Sequence, residues 1–462
     1  MAKDYDLIVI GAGPGGTPAA MNAAMFGKRV LLIDKRDAPG GECLFEGCIP
    51  SKVLENAANR YYDVVTSKKF HIDSNSAQIH WEDVLKDKEE ILQKRSQAAL
   101  HKIMQMPNLT FMQGVAKFID NNSIEVNGKR FSFENAIIAS GAKISFPKIK
   151  GNGIDKVWTN KDVFYQKELP TEILFIGAGA ISSELAQMFN KLGVKCHILE
   201  RSERILKHLP KEAAMIVQEK MIKNGIDIEF NLQLESIDFE DDTFVVKYLK
   251  DNQLHTLKYK NVLMATGRVA NIDDLALENA GVEYDKKGII VNEYLQTSQS
   301  NIYACGDCIN APKFAHTATY EAGVAIHNIF APSPHKVDYD KNSWVLFSDP
   351  QVAIAGIDSQ SAAKRGLDFS VQTYEFKTEA RSQIDKSIEG FIKFIIDNNT
   401  KSIIGVEIVN EDASSLVGEA TLIVANKLKS MDVQKAIHPH PTLTEAFGKL
   451  AQQIFFQSMM RR

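Results

Sequence analysis

The stretch that decides the fold is DYDLIVIGAGPGGTPAAMNAAMFGKRVLLID, residues 4–34. An apolar run precedes a glycine-rich turn, a segment of small residues follows, and a second apolar run ends at Asp34. This order predicts a strand, a turn, a helix and a second strand, which together form the βαβ unit that binds dinucleotides. Gly11 permits the tight turn, Gly13 lets the backbone approach a pyrophosphate, and Gly16 allows close helix packing. Asp34 is then placed to bind a ribose hydroxyl.

The same design occurs a second time in TEILFIGAGAISSELAQMFNKLGVKCHILE, residues 171–200. Gly177 and Gly179 occupy the turn, and the interval from Gly177 to Glu200 equals the 23 positions between the first glycine and the acid of the first copy. Ser182 replaces the third glycine, and its small side chain should crowd the helix slightly. Two fingerprints in matching context predict two bound dinucleotides and an α/β fold with two Rossmann-like domains.

The composition is that of an ordinary globular protein with several domains. The chain has 462 residues, 44% of them hydrophobic and 24% charged, and its formal net charge is -4. The length suits roughly three domains. Such a small negative charge provides no field that would hold nucleic acid or an acidic membrane surface, so both partner classes are set aside. No cluster of residues has the spacing of a metal site.

The N-terminus, MAKDYDLIVIGAG, enters the first predicted strand almost at once and leaves no room for a signal or transit peptide. No apolar run approaches the ~18 residues of a membrane span. We therefore expect a cytoplasmic protein. The chain has five cysteines, and in a reducing compartment these indicate chemistry or burial rather than a disulfide framework.

Two of these cysteines lie close together in GGECLFEGCIPSKVL, residues 40–54. Cα atoms five positions apart in an ideal helix are separated by about 8.6 Å, beyond the roughly 7 Å limit for a disulfide. If Cys43 and Cys48 pair, the backbone between them must be compacted, and Gly47 can best adopt unusual dihedral angles. Pro50 suits the first turn of a helix whose dipole would stabilise a thiolate at Cys48.

Further motifs follow in a fixed order. Apolar runs lead into glycine in NAIIASGAK (135–143), NVLMATGRVAN (261–271) and TSQSNIYACGDC (297–308), and the chain later carries HPHPTLTE (438–445). Taken singly, the three runs are ordinary exits from strands into loops. In this order, and together with GAGPGG, GGECLFEGCIPSK and GAGAISSE, they resemble the two-dinucleotide flavoprotein disulfide reductases over nearly the full length. Within that family the chain is most similar to the dihydrolipoamide dehydrogenases.

The resemblance implies the cofactors and the domain organisation. FAD would bind the first glycine turn, with Gly141 and Asp307 completing its site, and a pyridine nucleotide would bind the second turn near Gly267. The implied order is an FAD-binding domain at 1–147, an NAD(P)-binding domain at 148–272, a central domain at 273–343 and an α+β dimerisation domain at 344–462. The last region supports this independently, because GFIKFIIDNNTKSIIGVEIV, residues 390–409, predicts a hairpin around an Asn-Asn turn.

The resemblance also implies the role of the cysteine pair. Cys43 and Cys48 would form a redox disulfide, in which Cys48 faces the flavin and Cys43 exchanges with the substrate. Lys52 and Glu184 occupy positions that form an ion pair beside the flavin in relatives, although each taken alone would be assigned as a helix-surface charge.

HPHPTLTE contributes a candidate base. A carboxylate behind an imidazole fixes its tautomer and holds the imidazolium, so His440 and Glu445 suit thiol chemistry at neutral pH. They match the base and orienting acid of the family, in which this histidine comes from the partner subunit. The resemblance therefore implies a homodimer. We expect His438 to have a supporting role.

The choice of nicotinamide cofactor rests on Glu200. An acid at this position binds the ribose diol and repels a 2′-phosphate, which favours NAD. Arg201 and Arg204 follow directly and could receive the phosphate of NADP, which stays open.

By resemblance, the substrate is dihydrolipoamide on lipoyl domains of 2-oxo acid dehydrogenase or glycine cleavage complexes. Glu42 and the LFE of residues 44–46 depart from the family pattern beside the cysteines. Glu42 and Glu46 could raise the thiol pKa values and repel anionic disulfides, or they could point into water and be screened. Two alternatives stay open: an NAD(P)H-dependent reductase of another small disulfide, a metal ion or a quinone, and a flavoprotein scaffold or redox sensor without turnover.

The three remaining cysteines are assigned no chemistry. Cys305 and Cys308 form a CxxC without the second CxxC of a zinc site, and a redox role for them would displace the flavin-binding Asp307. Cys196 lies in an apolar strand and is interpreted as a buried core thiol.

Overall fold

The structure is a computed structural model that describes residues 3–74 and 76–460. Its strands, in chain order, are β1 Tyr5–Ile10, β2 Val30–Asp34, β3 Leu109–Gln113, β4 Ala116–Asp120, β5 Ser123–Val126, β6 Lys129–Ile138, β7 Ala142–Ile144, β8 Glu172–Ile176, β9 Lys195–Leu199, β10 Asp227–Glu229, β11 Gln233–Glu240, β12 Thr243–Lys250, β13 Gln253–Tyr259, β14 Val262–Met264, β15 Arg268–Ala270, β16 Tyr284–Asp285, β17 Gly288–Ile289, β18 Ile302–Ala304, β19 Ser343–Leu346, β20 Gln351–Gly356, β21 Phe369–Glu375, β22 Phe391–Asp397 and β23 Ile403–Asn410. Its α-helices are α1 Gly16–Met25, α2 Gly41–Phe45, α3 Cys48–Val65, α4 Trp81–Met104, α5 Asn160–Val163, α6 Ala180–Lys191, α7 Lys211–Lys223, α8 Ala315–Phe330, α9 Ser359–Lys364, α10 Ala380–Asp385, α11 Ala413–Ala425, α12 Ser430–Gln434 and α13 Glu445–Met460.

The chain divides into two compact units. The first comprises residues 1–148, 158–169 and 266–337, and the second comprises 149–157, 170–265 and 338–462. Each unit gathers segments that are distant in sequence. The four-domain division expected from the resemblance stays a prediction.

The first unit is built on a parallel sheet in the order β3-β2-β1-β6, with β18 also paired to β6. The ten-residue β6 pairs with three strands: its first part pairs antiparallel with β5, and its second part pairs parallel with β1 and β18. The strands β1 and β2 are buried almost throughout, as a central parallel strand with helices on both faces must be. Helix α1 packs on β1, β2 and α8.

The second unit contains three sheets. β10-β9-β8-β14 is parallel and carries α6, β11-β12-β13 is an antiparallel meander, and β19-β20-β23-β22-β21 is antiparallel. Helix α11 packs on β20 and β23, and α13 packs on β21 and β22. The predicted hairpin is confirmed, since β22 and β23 pair antiparallel on either side of residues 398–402.

The predicted fold class is therefore confirmed: two parallel α/β sheets, each entered through a glycine turn, and an α+β C-terminal region. No helix in the described ranges is long and apolar enough to cross a membrane.

Candidate active site and cofactor-binding turns

Two glycines of the first turn, Gly11 and Gly16, have no room for a side chain. Gly11 has a φ of +105°, and a Cβ there would lie 2.3 Å from the carbonyl oxygen of Ala139. A Cβ on Gly16 would lie 1.7 Å from the carbonyl oxygen of Gly11, which explains how α1 starts so close to β1. The carboxylate of Asp34 accepts hydrogen bonds from the N–H of Ala12 at 2.6 Å and from that of Arg36 at 2.9 Å. This turn at the start of a helix fits the pyrophosphate and ribose of FAD.

The same turn contacts the segment that carries the cysteines. Gly41 begins α2 with a φ of +60°, and a Cβ there would lie 2.7 Å from the Cα of Gly13. Gly40 has a φ of +141°, and its N–H donates to the carbonyl of Ala12 at 2.8 Å. The glycine pair that precedes the cysteines is therefore the place where the redox segment meets the dinucleotide turn.

Two helices hold the redox cysteines. Cys43 lies within the five-residue α2, and Cys48 is the first residue of the 18-residue α3. The chain breaks between the helices at Gly47, which has φ −146° and ψ −106°. The expectation of a non-helical break at Gly47 and of Pro50 in the first turn of the next helix is confirmed.

Both cysteines are free thiols in this structure, with Cys43 partly buried and Cys48 exposed. Their side chains are hydrogen-bonded to each other, and this bond lowers the pKa of Cys48 and raises that of Cys43. Partial burial raises the pKa of Cys48 in opposition, while its own backbone N–H at the start of α3 and the charge of Lys52 lower it. These directions favour the proton on Cys43 and the thiolate at Cys48. The disulfide itself stays a prediction.

The carboxylates beside the cysteines are both ion-paired. Glu42 is ion-paired with Arg268, and Glu46 is ion-paired with Arg36 and lies 3.9 Å from Lys161. Each carboxylate has a guanidinium partner, so neither is left in open solvent. Their effect on the pKa values of the thiols stays a prediction.

Asp307 and Gly141 lie in the same unit as the first turn. Burial raises the pKa of Asp307 despite the nearby charges of Arg268 and Lys313, and its carboxylate lies 3.9 Å from the Nε of Arg268. Gly141 has a φ of +73° with no atom within 4 Å of a would-be Cβ. Sequence reasoning missed Arg268, although it quoted the ATGRVAN motif that contains this residue.

Lys52 and Glu184 belong to different units. Lys52 pairs with Glu55 one turn later on α3, and the carboxylate of Glu184 accepts the N–H of Phe347 at 3.0 Å. The ion pair between Lys52 and Glu184 stays a prediction.

The second glycine turn repeats the geometry of the first. Gly177 has a φ of +95°, and Gly179 precedes α6. Glu200 accepts hydrogen bonds from the N–H of Ala178 at 2.7 Å and of Ser202 at 2.8 Å, which matches the two bonds of Asp34. No atom lies within 4 Å of a would-be Cβ at Gly179. Gly267, with a φ of +119°, belongs to the first unit, so its predicted part in this site stays a prediction.

Of the two arginines that follow Glu200, one is hydrogen-bonded to the backbone and the other is exposed. The guanidinium of Arg204 donates to four carbonyl oxygens, those of Ile205, Leu206, Lys207 and Leu209, at 2.9 to 3.1 Å. It is therefore committed to the loop that follows β9. Arg201 is exposed.

His440 and Glu445 are in contact, as predicted. The Nδ1–H of His440 donates to the carboxylate of Glu445, at 3.0 Å to one oxygen and 3.1 Å to the other. A carboxylate only accepts, so Nδ1 carries the proton and Nε2 is the basic nitrogen. Burial opposes the ionisation of Glu445, but hydrogen bonds from the Thr442 N–H and from His440 outweigh it and lower its pKa. The His440 side chain is 68% exposed and that of Glu445 is 12% exposed. The imidazole is therefore open to solvent, while the carboxylate that binds it is largely buried.

His438 has the supporting place expected of it. Its Nε2–H donates to Glu419 at 2.8 Å, and the ring lies against Gly448 on α13.

The other cysteines are buried thiols. Burial raises the pKa values of Cys196 and Cys305, and it raises that of Cys308 to about 12. Cys308 donates to the carbonyl of Cys305 at 3.2 Å. Within residues 3–74 and 76–460, no group of His, Cys, Asp and Glu side chains could hold a metal ion.

A dithiol at a helix start beside one dinucleotide turn, with a second such turn in the chain, defines a dinucleotide-dependent disulfide oxidoreductase. The chain belongs to the pyridine nucleotide-disulphide oxidoreductase family, which residues 5–322 match, and residues 342–451 match the dimerisation domain of that family. The family depends on FAD and uses NAD(P)H. The dimerisation domain supports a homodimer.

Its curated relatives have more than one activity. The chain is 32% identical to a dihydrolipoyl dehydrogenase of Geobacillus stearothermophilus over 98% of this chain and 96% of the relative. It is 30% identical to a mercuric reductase of Staphylococcus aureus over 98% of this chain and 82% of the relative. Among solved structures, the HOCl-induced flavoprotein disulfide reductase RclA of Escherichia coli matches with a TM-score of 0.85 and 25% identity, covering 97% of this chain and all of that one.

Proposed function

We propose that the protein oxidises dihydrolipoamide to lipoamide through a disulfide between Cys43 and Cys48 and passes the electrons to NAD. The observation that carries this proposal is the place of the two thiols: Cys43 lies in α2 and Cys48 begins α3, and the glycine pair that precedes them contacts the first dinucleotide turn. The pKa of Cys48 is also lowered. A low pKa makes Cys48 the better leaving group when another thiolate attacks the sulfur of Cys43.

The chemistry balances as a thiol–disulfide exchange. One substrate thiolate attacks Cys43, the bond between Cys43 and Cys48 breaks, and Cys48 leaves as a thiolate. The second substrate thiol gives its proton to His440 and attacks the substrate sulfur of the mixed disulfide, which releases Cys43 and closes the lipoamide ring. FAD bound at the first glycine turn would carry the two electrons from the dithiol to NAD.

The dyad of His440 and Glu445 supports the role of base in this exchange. Because Glu445 holds Nδ1, the Nε2 of His440 is available for the substrate proton. Its 68% exposure suits a base that serves the partner subunit's thiols in a homodimer.

The second turn supports NAD rather than NADP. A 2′-phosphate would meet the carboxylate of Glu200, and Arg204 is committed to four backbone carbonyls. Of the two arginines that follow Glu200, only Arg201 is then left to bind the 2′-phosphate of NADP. The protein partners in this proposal are lipoyl domains of a 2-oxo acid dehydrogenase or glycine cleavage complex, and the setting is the cytoplasm.

The test is a steady-state assay of the FAD-loaded protein with dihydrolipoamide and, separately, NAD or NADP. We expect NAD reduction that is lost in Cys48→Ser and in Cys43→Ser and is retained in Cys196→Ala, a change at a buried cysteine away from the site. Dithiol-dependent turnover that survives Cys48→Ser would refute the relay.

A second candidate is an NAD(P)H-dependent reductase of another small disulfide, a metal ion or a quinone. Two observations favour it: the mercuric reductase relative covers as much of this chain as the dihydrolipoyl dehydrogenases do, and Glu42 and Glu46 add ion pairs beside the cysteines. Cys43→Ser discriminates between reaction types, because a reaction that uses only the flavin survives this change and disulfide exchange does not.

A further inference from the structure

Behind the dyad of His440 and Glu445 lies a chain of charges. Lys449 follows Glu445 by one turn on α13, and its Nζ lies 3.5 Å from a carboxylate oxygen of Glu445. Glu445 thus contacts His440 in the preceding loop and Lys449 on its own helix, and it also accepts the N–H of Thr442. How much negative charge Glu445 presents to the imidazole depends on how far Lys449 neutralises it.

Lys449 also contacts a second carboxylate, that of Glu379. Its Nζ is hydrogen-bonded to both oxygens of Glu379, at 2.8 Å to one of them. Glu379 directly precedes α10 and its side chain is fully buried, and Tyr374 on β21 donates its hydroxyl to it at 3.3 Å. A buried carboxylate needs a counter-charge, because removing its partner leaves an uncompensated charge in the interior, so Glu379 holds Lys449 strongly.

The two carboxylates therefore compete for one ammonium group. Lys449 lies within hydrogen-bond distance of Glu379 and farther from Glu445. In the described chain, the charged and titratable groups that face this ammonium are Glu379 from the start of α10, Tyr374 from β21 and Glu445 from α13. Because the ammonium of Lys449 is bound mainly to Glu379, it neutralises Glu445 only in part. Glu445 therefore keeps negative charge that stabilises a protonated imidazole at His440.

We propose that Lys449 and Glu379 are positioning residues that set the charge Glu445 presents to His440, and through it the pH at which the base of the reaction becomes active. This inference rests on the proposed function only for its kinetic readout. Neither residue touches the reacting thiols in this proposal.

Two substitutions should move the titration of His440 in opposite directions. Lys449→Met removes a cation near the dyad, so the imidazolium becomes more stable and its titration midpoint moves to higher pH. Glu379→Gln leaves Lys449 without its main partner, so Lys449 neutralises Glu445 and the midpoint moves to lower pH. The two shifts should have opposite signs, and Lys449→Arg, which keeps the positive charge, should stay near wild type.

The experiment records the pH dependence of kcat/KM for dihydrolipoamide and, separately, the ring carbon-proton NMR signal of His440, assigned with His440→Gln. Opposite shifts in the two variants support the proposal, whereas shifts of the same sign, or no shift, overturn it. The NMR titration reads the dyad directly. If wild type does not oxidise dihydrolipoamide, the proposed function fails while the NMR result still decides the role of Lys449.

Lys449→Met leaves the buried Glu379 without its partner and can impair folding. The double variant Lys449→Met/Glu379→Gln removes both charges and should fold. Its midpoint should lie between those of wild type and Lys449→Met, because the nearer cation and the farther anion are both lost. A midpoint below that of wild type would contradict the proposal.

Discussion

Cys43 and Cys48 are the same kind of side chain, and their surroundings shift their pKa values in opposite directions. Cys48 accepts from Cys43 and from its own backbone N–H at the start of α3, while Cys43 donates and is partly buried. The difference comes from the break at Gly47, which ends one helix and lets Cys48 begin the next. At the scale of residues, this asymmetry makes Cys43 the attacked sulfur and Cys48 the leaving one in the proposed exchange.

The polarity of the pair can be tested in the reduced protein. Because the hydrogen bond from Cys43 lowers the pKa of Cys48, Cys43→Ala should raise this pKa and move the alkylation midpoint of Cys48 to higher pH. Cys43→Ser keeps a donor and should shift the midpoint less. Peptide-resolved alkylation across pH measures both, with Cys196→Ala as control, and equal midpoints in all variants would rule out the hydrogen bond.

A single glycine on α13 supports the loop that carries the base. A Cβ at Gly448 would lie 2.9 Å from Nδ1 of His438, whose other ring nitrogen donates to Glu419. Gly448→Ala should therefore displace His438 and destabilise the protein by about 1–3 kcal/mol. Thermal unfolding measures the cost. In a His438→Ala background the same substitution meets no ring and should cost little, so an undiminished cost there would refute the collision.

At the scale of elements, the two βαβ units were predictable because their constraint is local. The positions of β1, α1 and β2, and of β8, α6 and β9, follow from where glycine and small residues permit a turn and a close helix. The acids at the end of each unit also make equivalent hydrogen bonds. The same interval between glycine and acid occurs twice in the sequence. It sets the distance along the chain from each glycine turn to the carboxylate that accepts hydrogen bonds from it.

The dependence of the first turn on glycine gives a prediction for α1. A Cβ at Gly16 would lie 1.7 Å from the carbonyl of Gly11, and that backbone cannot give way without opening the turn. Gly16→Ala should destabilise the protein by more than about 2 kcal/mol and release FAD. Flavin content and thermal unfolding measure the two effects.

The matched control is Gly323→Ala on α8 in the same unit, where a Cβ meets no atom within 4 Å. Alanine is favoured over glycine in a helix, so this variant should keep its flavin and be neutral or more stable by up to about 1 kcal/mol. Similar losses in both variants would show that the close approach at Gly16 is not the cause.

At the scale of the whole molecule, the surroundings of the redox segment come from distant parts of the chain. Glu42 is bound by Arg268, 226 positions later, and the carbonyl of Glu46 accepts Asn160, 114 positions later. Sequence reasoning placed the cysteines and the base because their motifs are continuous. It could not place these partners, because a single ion pair between remote charges leaves no local pattern, and so it did not predict the ion pairs of Glu42 and Glu46.

Residues 158–169 act as a brace for the redox segment. Tyr165 donates its hydroxyl to the carbonyl of Phe45 at 2.6 Å, and Asn160 donates to that of Glu46 at 2.7 Å. The brace is itself tied to α4, because the buried Lys88 donates to the carbonyl of Phe164 at 2.6 Å and Trp81 donates to that of Gln166 at 2.9 Å. These bonds fix the backbone between the two cysteines.

Removing one bond of the brace should loosen the cysteine segment without affecting the flavin. Tyr165→Phe deletes only the hydroxyl, and the loss of about 0.5–1.5 kcal/mol should speed hydrogen exchange of the amides at 42–47 by about two- to tenfold. Tyr284→Phe makes the same chemical change at an exposed position and should leave that exchange unchanged. Faster exchange confined to 42–47, with flavin content retained, would show that the brace holds the loop. Unchanged exchange would mean that α2 and the ion pairs of Glu42 and Glu46 hold it without the brace.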